Sequence, residues 1–377
     1  MIVPDASEAM QQALLQAYKV EGRTSPRPPV GAVVVRDGRI VGQGATAPPY
    51  GPHAEVEALA MAGPLAAGAD LYVTLEPCCV TIHTPPCTEA IIAAGIQRVF
   101  VGAQDPNPLV AGQGIAQLES AGITVHMQLT PEAEKLLQPF ATYITRQRAY
   151  VTAKWAMTLD GKIATHTGDA HWISGLESRA WVHDLRDRVD AILVGANTVS
   201  NDDPQLTVRL TAEQQAANQR TPRPAPYRVI MTTSGILPEH LKLLKPDMIP
   251  RTILIVGETC PVERQQRWQD DGVKIIPTAV DARGRIDITA ALTALAQQGI
   301  MHILLEGGAQ LFGSAFDSRC IDHVVTFVAP RIIGGAEAPT PIAGTGLNTM
   351  KQAWTLSNRR IQQIGEDILF EGDTCYS

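Results

Sequence analysis

Short apolar runs that alternate with helical patterns are the sequence feature that most restricts the fold of this chain. Strand-like runs at 30–35, 71–75 and 98–102 are separated by helical patterns at 53–61 and 88–94. Such alternation predicts an α/β fold, in which helices pack against the faces of a sheet. The turn sequence Arg36-Asp37-Gly38-Arg39 also predicts that the first strand forms a hairpin with the apolar residues that follow it.

A second α/β series follows a polar helical stretch over 129–148. Since 377 residues exceed one ordinary core, two domains are expected, 1–146 and 147–377. A helix is predicted from Leu176, with Ser174 as its capping residue, and the segment from Thr211 to Pro226 is predicted to be a surface loop. Strands of the second series are predicted at 150–157, 191–194, 228–231, 252–256 and 302–305.

Charge and hydropathy exclude several classes of protein. The formal net charge of −7 disfavours a phosphate backbone as the main partner, because nucleic-acid binding relies on a basic excess. No window approaches the roughly 18 consecutive apolar residues of a membrane span, and the first residues lack a secretory pattern. We therefore expect a cytoplasmic protein that binds neither nucleic acid nor membrane.

Three of the six cysteines lie within ten positions, as Cys78, Cys79 and Cys87. In a cytoplasmic protein, such clustering indicates a metal site before a disulfide. His53 and the thiolates of Cys78 and Cys87 would make three protein ligands. A tetrahedral Zn²⁺ then keeps a fourth position for water. An open position is typical of catalysis, and Glu55 is placed to move a proton between that water and a departing amine.

Each part of this pattern is weak by itself. His53-Ala54-Glu55 is a short string, and a lone histidine before a helix is more often a polar helix start than a ligand. The joint order and separation, with a strand before Pro77, favour the zinc site. Eight residues separate Cys78 from Cys87, whereas the usual deaminase signature has two, which indicates one branch of the zinc deaminases.

The chain resembles the bifunctional deaminase-reductase family of riboflavin biosynthesis. In the first half the resemblance rests on YVTLEPC at 72–78, TPPC at 84–87, DPNP at 105–108 and VAG at 110–112. In the second half it rests on LDGKIA at 159–164, DDP at 202–204, LTVR at 206–209 and EGG at 306–308. It implies deamination of a diaminopyrimidinone that carries a phosphoribosylamino group, followed by reduction of its ribose to a ribityl chain. It also implies a cytidine-deaminase-like domain, a dihydrofolate-reductase-like domain and assembly as a homo-oligomer.

The resemblance also assigns residues. His53, Cys78 and Cys87 are implied as zinc ligands, Glu55 as the proton shuttle, and Lys154 and Asp202 as catalytic groups of the reductase. The residues implied to contact NADPH are Ala156, Trp172, Thr198, Asp202, Gly307 and Gly308. Those implied to hold the substrate are Arg186, Leu206, Arg209 and Glu306, the arginines because guanidinium groups suit a phosphate.

Several of these residues have a plainer interpretation. Two glycines after a strand are more often a tight turn than a phosphate cradle, and the G-x-G-x-x-G spacing is absent at Gly307. Arg186 is also consistent with an ordinary ion pair on a helix, and Trp172 with a core residue.

The sequence departs from the family pattern at three places. Arg27 stands where the family usually has asparagine, and Cys79 to His83 replace a polar, glycine-containing loop. We expect these changes to slow deamination, with Arg27 and His83 as substitute donors to a phosphate. Thr232 replaces an aspartate at the end of a predicted strand.

Other functions remain open at this point. A tRNA-type deaminase with an accessory domain shares the zinc core, and so does a related deaminase-reductase of another pathway. A module that keeps zinc only to hold its fold is a third alternative, although such a site needs neither an open coordination position nor Glu55.

Overall fold

The structure is a computed structural model that describes residues 6–81 and 85–376. The chain forms two compact units. The first comprises the chain up to Gln147 together with Ala212–Arg223, and the second comprises Arg148–Thr211 and the chain from Pro224 onward. Each unit has its own sheet and its own hydrophobic core, and the predicted α/β fold class is confirmed.

The described part of the first unit contains a five-stranded sheet in the order β2-β1-β3-β4-β5. Its strands are β1 (Gly31–Arg36), β2 (Arg39–Ala45), β3 (Asp70–Val73), β4 (Arg98–Val101) and β5 (Thr124–Met127). Strand β1 runs antiparallel to both neighbours, whereas β3, β4 and β5 are parallel. The helices before the domain junction are α1 (Ala6–Lys19), α2 (Ala54–Ala62), α3 (Cys87–Ala93), α4 (Gln113–Ser120) and α5 (Pro131–Arg146).

The predicted hairpin is confirmed as β1 and β2. Asp37 and Gly38 have φ angles of 50° and 70°, the pair of positive values that a two-residue type I′ turn requires. This turn matches the twist of the strands, so Val35 pairs with Ile40. The hairpin thereby fixes which side chains of β1 face the core.

The second unit contains a nine-stranded sheet among its described residues, in the order β10-β9-β8-β7-β11-β6-β12-β14-β13. Its strands are β6 (Tyr150–Thr158), β7 (Ala191–Gly195), β8 (Tyr227–Thr232), β9 (Thr252–Gly257), β10 (Lys274–Thr278), β11 (His302–Leu305), β12 (His323–Ala329), β13 (Thr355–Ile364) and β14 (Asp367–Cys375). In this order, each strand from β10 through β12 is parallel to its neighbours up to β12. Strand β14 runs antiparallel to both of its neighbours, β12 and β13. The accompanying helices are α6 (Leu176–Arg186), α7 (Ala196–Asp202), α9 (Val262–Asp270), α10 (Ile288–Ala296) and α11 (Ala309–Asp317).

Strand β7 shows why this sheet is buried on both faces. Ala191 and Leu193 belong to the core on one face, and Ile192 and Val194 belong to the core on the other. Successive side chains of a strand point to opposite faces, so an unbroken apolar run is what a doubly covered parallel strand requires. At its carboxyl end, β7 leads directly into α7, which carries Thr198 and Asp202.

Two local predictions are wrong. Helix α6 begins as predicted, but its capping residue is Gly175 rather than Ser174. The carboxylate of Asp367, on β14, accepts hydrogen bonds from the Gly175 amide and the Ser178 hydroxyl, at 2.8 and 2.6 Å. A distant residue therefore caps the helix.

The segment predicted as a loop contains helix α8 (Ala212–Asn218), in which no residue is buried. Its alanines and glutamines are good helix formers, and that local propensity outweighs the nearby prolines. No described helix is long and apolar enough to cross a membrane.

Candidate active sites

Three side chains that could hold a metal converge beyond the carboxyl end of β3, the central strand of the first sheet. His53 is the residue before α2, Cys78 lies in the loop after β3, and Cys87 is the first residue of α3. Their donor atoms all lie within 4.8 Å of one another. The Nδ1 atom of His53 is 3.2 Å from Sγ of Cys87 and 3.5 Å from Sγ of Cys78.

These distances suit zinc. Bonds of about 2.0–2.1 Å to nitrogen and 2.3 Å to sulfur place tetrahedral N and S ligands about 3.6 Å apart. The amide of Cys87 also donates to Sγ of Cys78 at 3.4 Å, which favours a thiolate there. Cys79 is not part of the cluster, since its Sγ faces the carbonyl oxygen of Leu109 at 4.0 Å.

The thiols differ in their ease of ionisation. The contact with Cys87 brings the pKa of Cys78 down to about 4 against the opposing effect of burial. The same contact raises the pKa of Cys87, because the proton shared by the two sulfur atoms stays on Cys87 when Cys78 is ionised. Zinc binding to this set therefore releases a proton.

Glu55 lies in the first turn of α2, two residues after His53, and is only 4% exposed. Burial, followed by the negative charge of Cys78, raises the pKa of Glu55 to about 7. A carboxyl group with such a pKa exchanges protons readily near neutral pH. Glu55 also lines a cavity of about 330 Å³ that opens beside His53 and Cys78.

The wall of this cavity is mostly apolar, through Val30, Leu75, Val80, Val110, Phe140 and Ile144. Asp105 and Asn107 contribute polar groups, and burial raises the pKa of Asp105 to about 6. Sequence reasoning quoted both residues within a motif but gave them no role. Their position directly after a strand was the available signal, since functional groups concentrate in such loops.

Glu76 holds the loop that carries Asp105 and Asn107. It is 2% exposed, and its carboxylate accepts backbone hydrogen bonds from Asp105, Gly112, Gly114 and Ile115 at 3.0–3.3 Å. Gly114 must be glycine, since a Cβ atom there would lie 2.1 Å from the carbonyl oxygen of Pro77. The loop is thus fastened against the segment that leads to Cys78.

The structure shows that Arg27, which was expected as a substitute donor to a phosphate, has its guanidinium bound to backbone carbonyl groups. Arg27 does line the cavity, but its Nη1 donates to the carbonyl oxygen of Gly51, and its Nη2 donates to those of Ala47 and Pro48. The other substitute donor, His83, and its neighbour Ile82 lie outside the described residues.

In the second unit, Arg186 and Glu306 meet directly. Nε and Nη2 of Arg186 donate to the two carboxylate oxygens of Glu306 at 2.6 and 2.7 Å, and Nη1 donates to the carbonyl oxygen of Thr207 at 3.0 Å. Their side chains are 14% and 7% exposed. Arg186 thus forms an ion pair, but the pair is buried and joins α6 to the residue after β11, so it is not the helix-surface pair of the plainer interpretation.

Lys154, on β6, lies within electrostatic range of this pair. Burial lowers the pKa of Lys154, while the charge of Glu306 opposes that effect. Burial alone would raise the pKa of Glu306, but Arg186 outweighs it and the pKa is lowered. The three residues thus form a charged cluster with one anion and two cations.

His183 connects this cluster to Arg209. Nε and Nη2 of Arg209 both lie 3.3 Å from Nε2 of His183, and Nδ1 of His183 lies 3.1 Å from the carbonyl oxygen of Thr207. Burial and the neighbouring arginines lower the pKa of His183 to about 4, so its ring is neutral and able to accept from Arg209. Sequence reasoning missed His183, although its spacing of three residues from Arg186 places both on one helix face.

The predicted glycine turn lies between β11 and α11. Gly307 and Gly308 have φ angles of 143° and 88°, and a Cβ atom on Gly307 would lie 3.1 Å from Cγ2 of Thr198. Only glycine fits here, and the turn leads into the amino end of a nine-residue helix, where unpaired amides attract phosphate. The turn and Thr198 therefore suit a dinucleotide cofactor such as NADPH.

The remaining residues predicted to contact cofactor or substrate lie on different elements and loops of the second unit. Ala156 is half-buried on β6, and Asp202 ends α7, one turn after Thr198, with its pKa raised by burial. Leu206 is buried in the core with a φ angle of 47°. Trp172 is 62% exposed, with the guanidinium of Arg179 3.8 Å from its ring centre, so the core interpretation of Trp172 is wrong.

The departure at Thr232 lies at the end of β8, where the side chain is 4% exposed. Its backbone carbonyl accepts from the amide of Gly235 at 3.3 Å. Thr232 is therefore the last residue of the strand, and its carbonyl group begins the turn that follows.

Comparison with known proteins identifies both units. Residues 4–103 match the family described as cytidine and deoxycytidylate deaminase zinc-binding region, and residues 149–370 match the RibD C-terminal domain. Riboflavin biosynthesis protein RibD of Bacillus amyloliquefaciens is 43% identical over 360 residues, which is 95% of this chain and 94% of that protein.

Solved structures agree over the same length. One crystal form of Acinetobacter baumannii RibD aligns with a TM-score of 0.84 at 33% identity, covering 97% of this chain and 98% of the other. A diaminohydroxyphosphoribosylaminopyrimidine deaminase/5-amino-6-(5-phosphoribosylamino)uracil reductase from Thermotoga maritima aligns with a TM-score of 0.79 at 34% identity and the same coverage. The chain therefore belongs to the RibD family of bifunctional riboflavin-biosynthesis enzymes, which join a zinc-dependent deaminase to an NADPH-dependent reductase.

Proposed function

We propose that the first site deaminates 2,5-diamino-6-(5-phosphoribosylamino)pyrimidin-4-one and that the second reduces the ribosyl group of the product to ribityl. The observation that carries the deaminase assignment is the position of Glu55, buried beside three converging metal donors and open to a cavity. Both reactions are those named for the Thermotoga maritima relative, which matches the chain over nearly its whole length.

In the deaminase, His53, Cys78 and Cys87 would hold the metal. Zinc supplies a Lewis acid there, which lowers the pKa of water toward neutrality. Glu55 accepts a proton from the attacking water and returns one to the departing amine, so that water is consumed and ammonia leaves. Because the pKa of Glu55 is raised to about 7, its carboxyl group can both accept and donate a proton near neutral pH.

In the reductase, the binding groups come from β6, the loop before α6, helix α7 and the turn before α11. Ala156, Trp172, Thr198, Gly307 and Gly308 would contact NADPH, which supplies the hydride. The close approach of Thr198 to the glycine turn supports this grouping.

The substrate of the reductase would lie against Arg186, Leu206, Arg209 and Glu306. Lys154 and Asp202 are proposed as its catalytic groups, with Asp202 also at the cofactor. Support comes from the exposed guanidinium of Arg209, which lies beside the cluster of Lys154, Arg186 and Glu306 and suits the phosphate of a sugar.

We assign 1–146 to the deaminase domain and 147–377 to the reductase domain. The grouping of the chain into two units supports this division, apart from Ala212–Arg223, which groups with the first unit. We also propose that the enzyme is a cytoplasmic homo-oligomer. All six cysteines are described and unbridged, as in a reducing compartment. Light scattering of the purified protein would measure the assembly.

The direct test supplies the purified enzyme with the phosphoribosylated diaminopyrimidinone and follows two signals. Ammonia release should occur without NADPH, and NADPH oxidation should follow only after deamination. Absence of ammonia from zinc-loaded enzyme would refute the deaminase assignment. Oxidation without prior deamination would refute the order of the reactions.

A further inference from the structure

The side chain of Arg27 fastens a loop that ends at the metal cluster. Nη1 donates to the carbonyl oxygen of Gly51 at 2.8 Å, and Nη2 donates to the carbonyl oxygens of Ala47 and Pro48. A planar guanidinium presents several donors at fixed angles, which suits a set of converging carbonyl groups. One side chain thus holds three points of the segment 47–51.

The segment is itself a closed turn. The amide of Ala47 donates to the carbonyl oxygen of Pro52 at 3.0 Å, and that of Gly51 donates to the carbonyl oxygen of Pro48 at 3.0 Å. At its start, the hydroxyl of Thr46 accepts from the amide of Val30 at 3.1 Å. Its end leads directly into His53, the residue before α2.

Arg27 is itself held in place. Its amide donates to the carbonyl oxygen of Thr24 at 2.9 Å, and the hydroxyl of Thr24, which is 1% exposed, donates to the carbonyl oxygen of Arg27 at 2.8 Å. Arg27, Thr46, Tyr50 and His53 all line the same cavity. The guanidinium therefore joins a fixed turn to the loop that carries Tyr50 to the cavity and leads to His53.

We propose that Arg27 is a positioning residue of the deaminase site, which holds the 47–52 loop and thereby His53 and Tyr50 in place, and that it does not bind the substrate's phosphate. The expected effect on deaminase kinetics rests on the function proposed above. The contact between Arg27 and the loop does not depend on that function. Arg27 acts through the backbone of the loop and not through the reacting atoms.

The test compares Arg27→Met and Arg27→Lys with the wild type. Lysine keeps the positive charge but has a single ammonium group in place of the guanidinium fork. It should therefore restore few of the contacts between Arg27 and the loop. Arg36→Met is the matched control, because Arg36 also donates to a backbone carbonyl in the first unit, that of Ala67 at 2.7 Å, but does not line the cavity. Circular dichroism and the hydrogen exchange of first-unit peptides outside 46–53 are measured to verify that each variant is folded.

The first readout is hydrogen exchange of backbone amides in peptides covering 46–53. We expect faster exchange in Arg27→Met and Arg27→Lys and unchanged exchange in Arg36→Met. Unchanged exchange in both Arg27 variants would overturn the proposal. This readout needs neither substrate nor turnover, so it decides on the loop contact even if the proposed function fails.

The second readout is deaminase kcat/KM with the phosphoribosylated substrate and with its dephosphorylated form. A displaced loop should lower both values by a similar factor, about 10- to 100-fold, because small misplacements near reacting groups are costly. If Arg27 instead binds phosphate, only the phosphorylated substrate should lose rate, and that result would overturn the proposal. Absence of deamination in the wild type would count against the proposed function and not against the contact.

Discussion

The guanidinium of Arg186 donates two nearly parallel hydrogen bonds to the carboxylate of Glu306, at 2.6 and 2.7 Å, where the side chains are almost buried. A charge-assisted pair of this geometry is among the stronger polar contacts in proteins. It joins the last residue of α6 to the residue after β11. The pair therefore fixes two elements of the reductase site relative to each other.

Replacing Arg186 with methionine should destabilise the reductase unit by about 3–5 kcal/mol, because it leaves Glu306 buried without its partner. The double variant Arg186→Met/Glu306→Gln should recover much of this loss. Urea unfolding followed by tryptophan fluorescence suits the measurement, because all five tryptophans lie in the second unit. Strictly additive effects of the two changes would contradict direct pairing.

The enzyme should contain about one zinc per chain, and Cys78→Ala or Cys87→Ala should abolish it. Cys79→Ala is the matched control and should retain the metal, since Cys79 lies outside the cluster. Elemental analysis of the purified variants measures this. Zinc loss in Cys79→Ala with retention in Cys78→Ala would overturn the ligand assignment.

Glu55→Gln should lower the rate of ammonia release by about 10²–10⁴-fold, because glutamine keeps the shape of the side chain but cannot carry the proton. Zinc content and NADPH-dependent reduction should remain, because the change is isosteric and lies in the first unit. Ammonia release within about tenfold of the wild type would show that Glu55 is not the shuttle.

Lys154→Ala and Asp202→Ala should each abolish NADPH oxidation while deamination continues. Both residues belong to the second unit, whereas the metal cluster belongs to the first. Each variant is assayed for ammonia and for NADPH with the respective substrate. Loss of ammonia release in a folded variant would contradict the division of the two activities between the units.

The neutral state of His183 should make the stability of the reductase unit depend on pH. Its pKa is about 4 in the folded protein, against about 6.5 for a free histidine. Between these values the unfolded chain binds a proton that the folded chain does not, so stability falls as the pH is lowered through this range. His183→Gln, which still accepts from Arg209, should therefore show a smaller fall in Tm between pH 7 and pH 5. Equal falls in both proteins would contradict this role.

The local sequence pattern was sufficient to predict many of the helices and strands. The β1–β2 hairpin, helix α2 and strands β6 to β9 were predicted because their signals lie in a few adjacent residues. The same holds for the glycine turn at Gly307. Strands β5, β10 and β12 to β14 were not predicted. Strands β13 and β14 carry many exposed or half-exposed residues and depend on pairing with distant strands, whereas β12 is a buried, mostly apolar run whose signal was available in the sequence.

The cap of α6 and the contacts of Arg27 show the same physical limit of local sequence. Ser174 was a reasonable helix cap by sequence, but Asp367 reaches α6 from a strand almost two hundred positions away. Arg27 was expected to donate to a phosphate, and in the structure its donors bind three carbonyl groups of a neighbouring loop. In both cases a partner distant from the predicted one satisfies the polar group.

The sequence by itself determined the fold class, the family and the candidate residues of the metal cluster and the glycine turn, because these depend on residue type and spacing along the chain. Only the tertiary structure decided which charged groups pair, as with Arg186 and Glu306, and which are held by backbone, as with Arg27. A buried charge must find a partner within a few ångströms, and distance in space is set by the packing of whole elements.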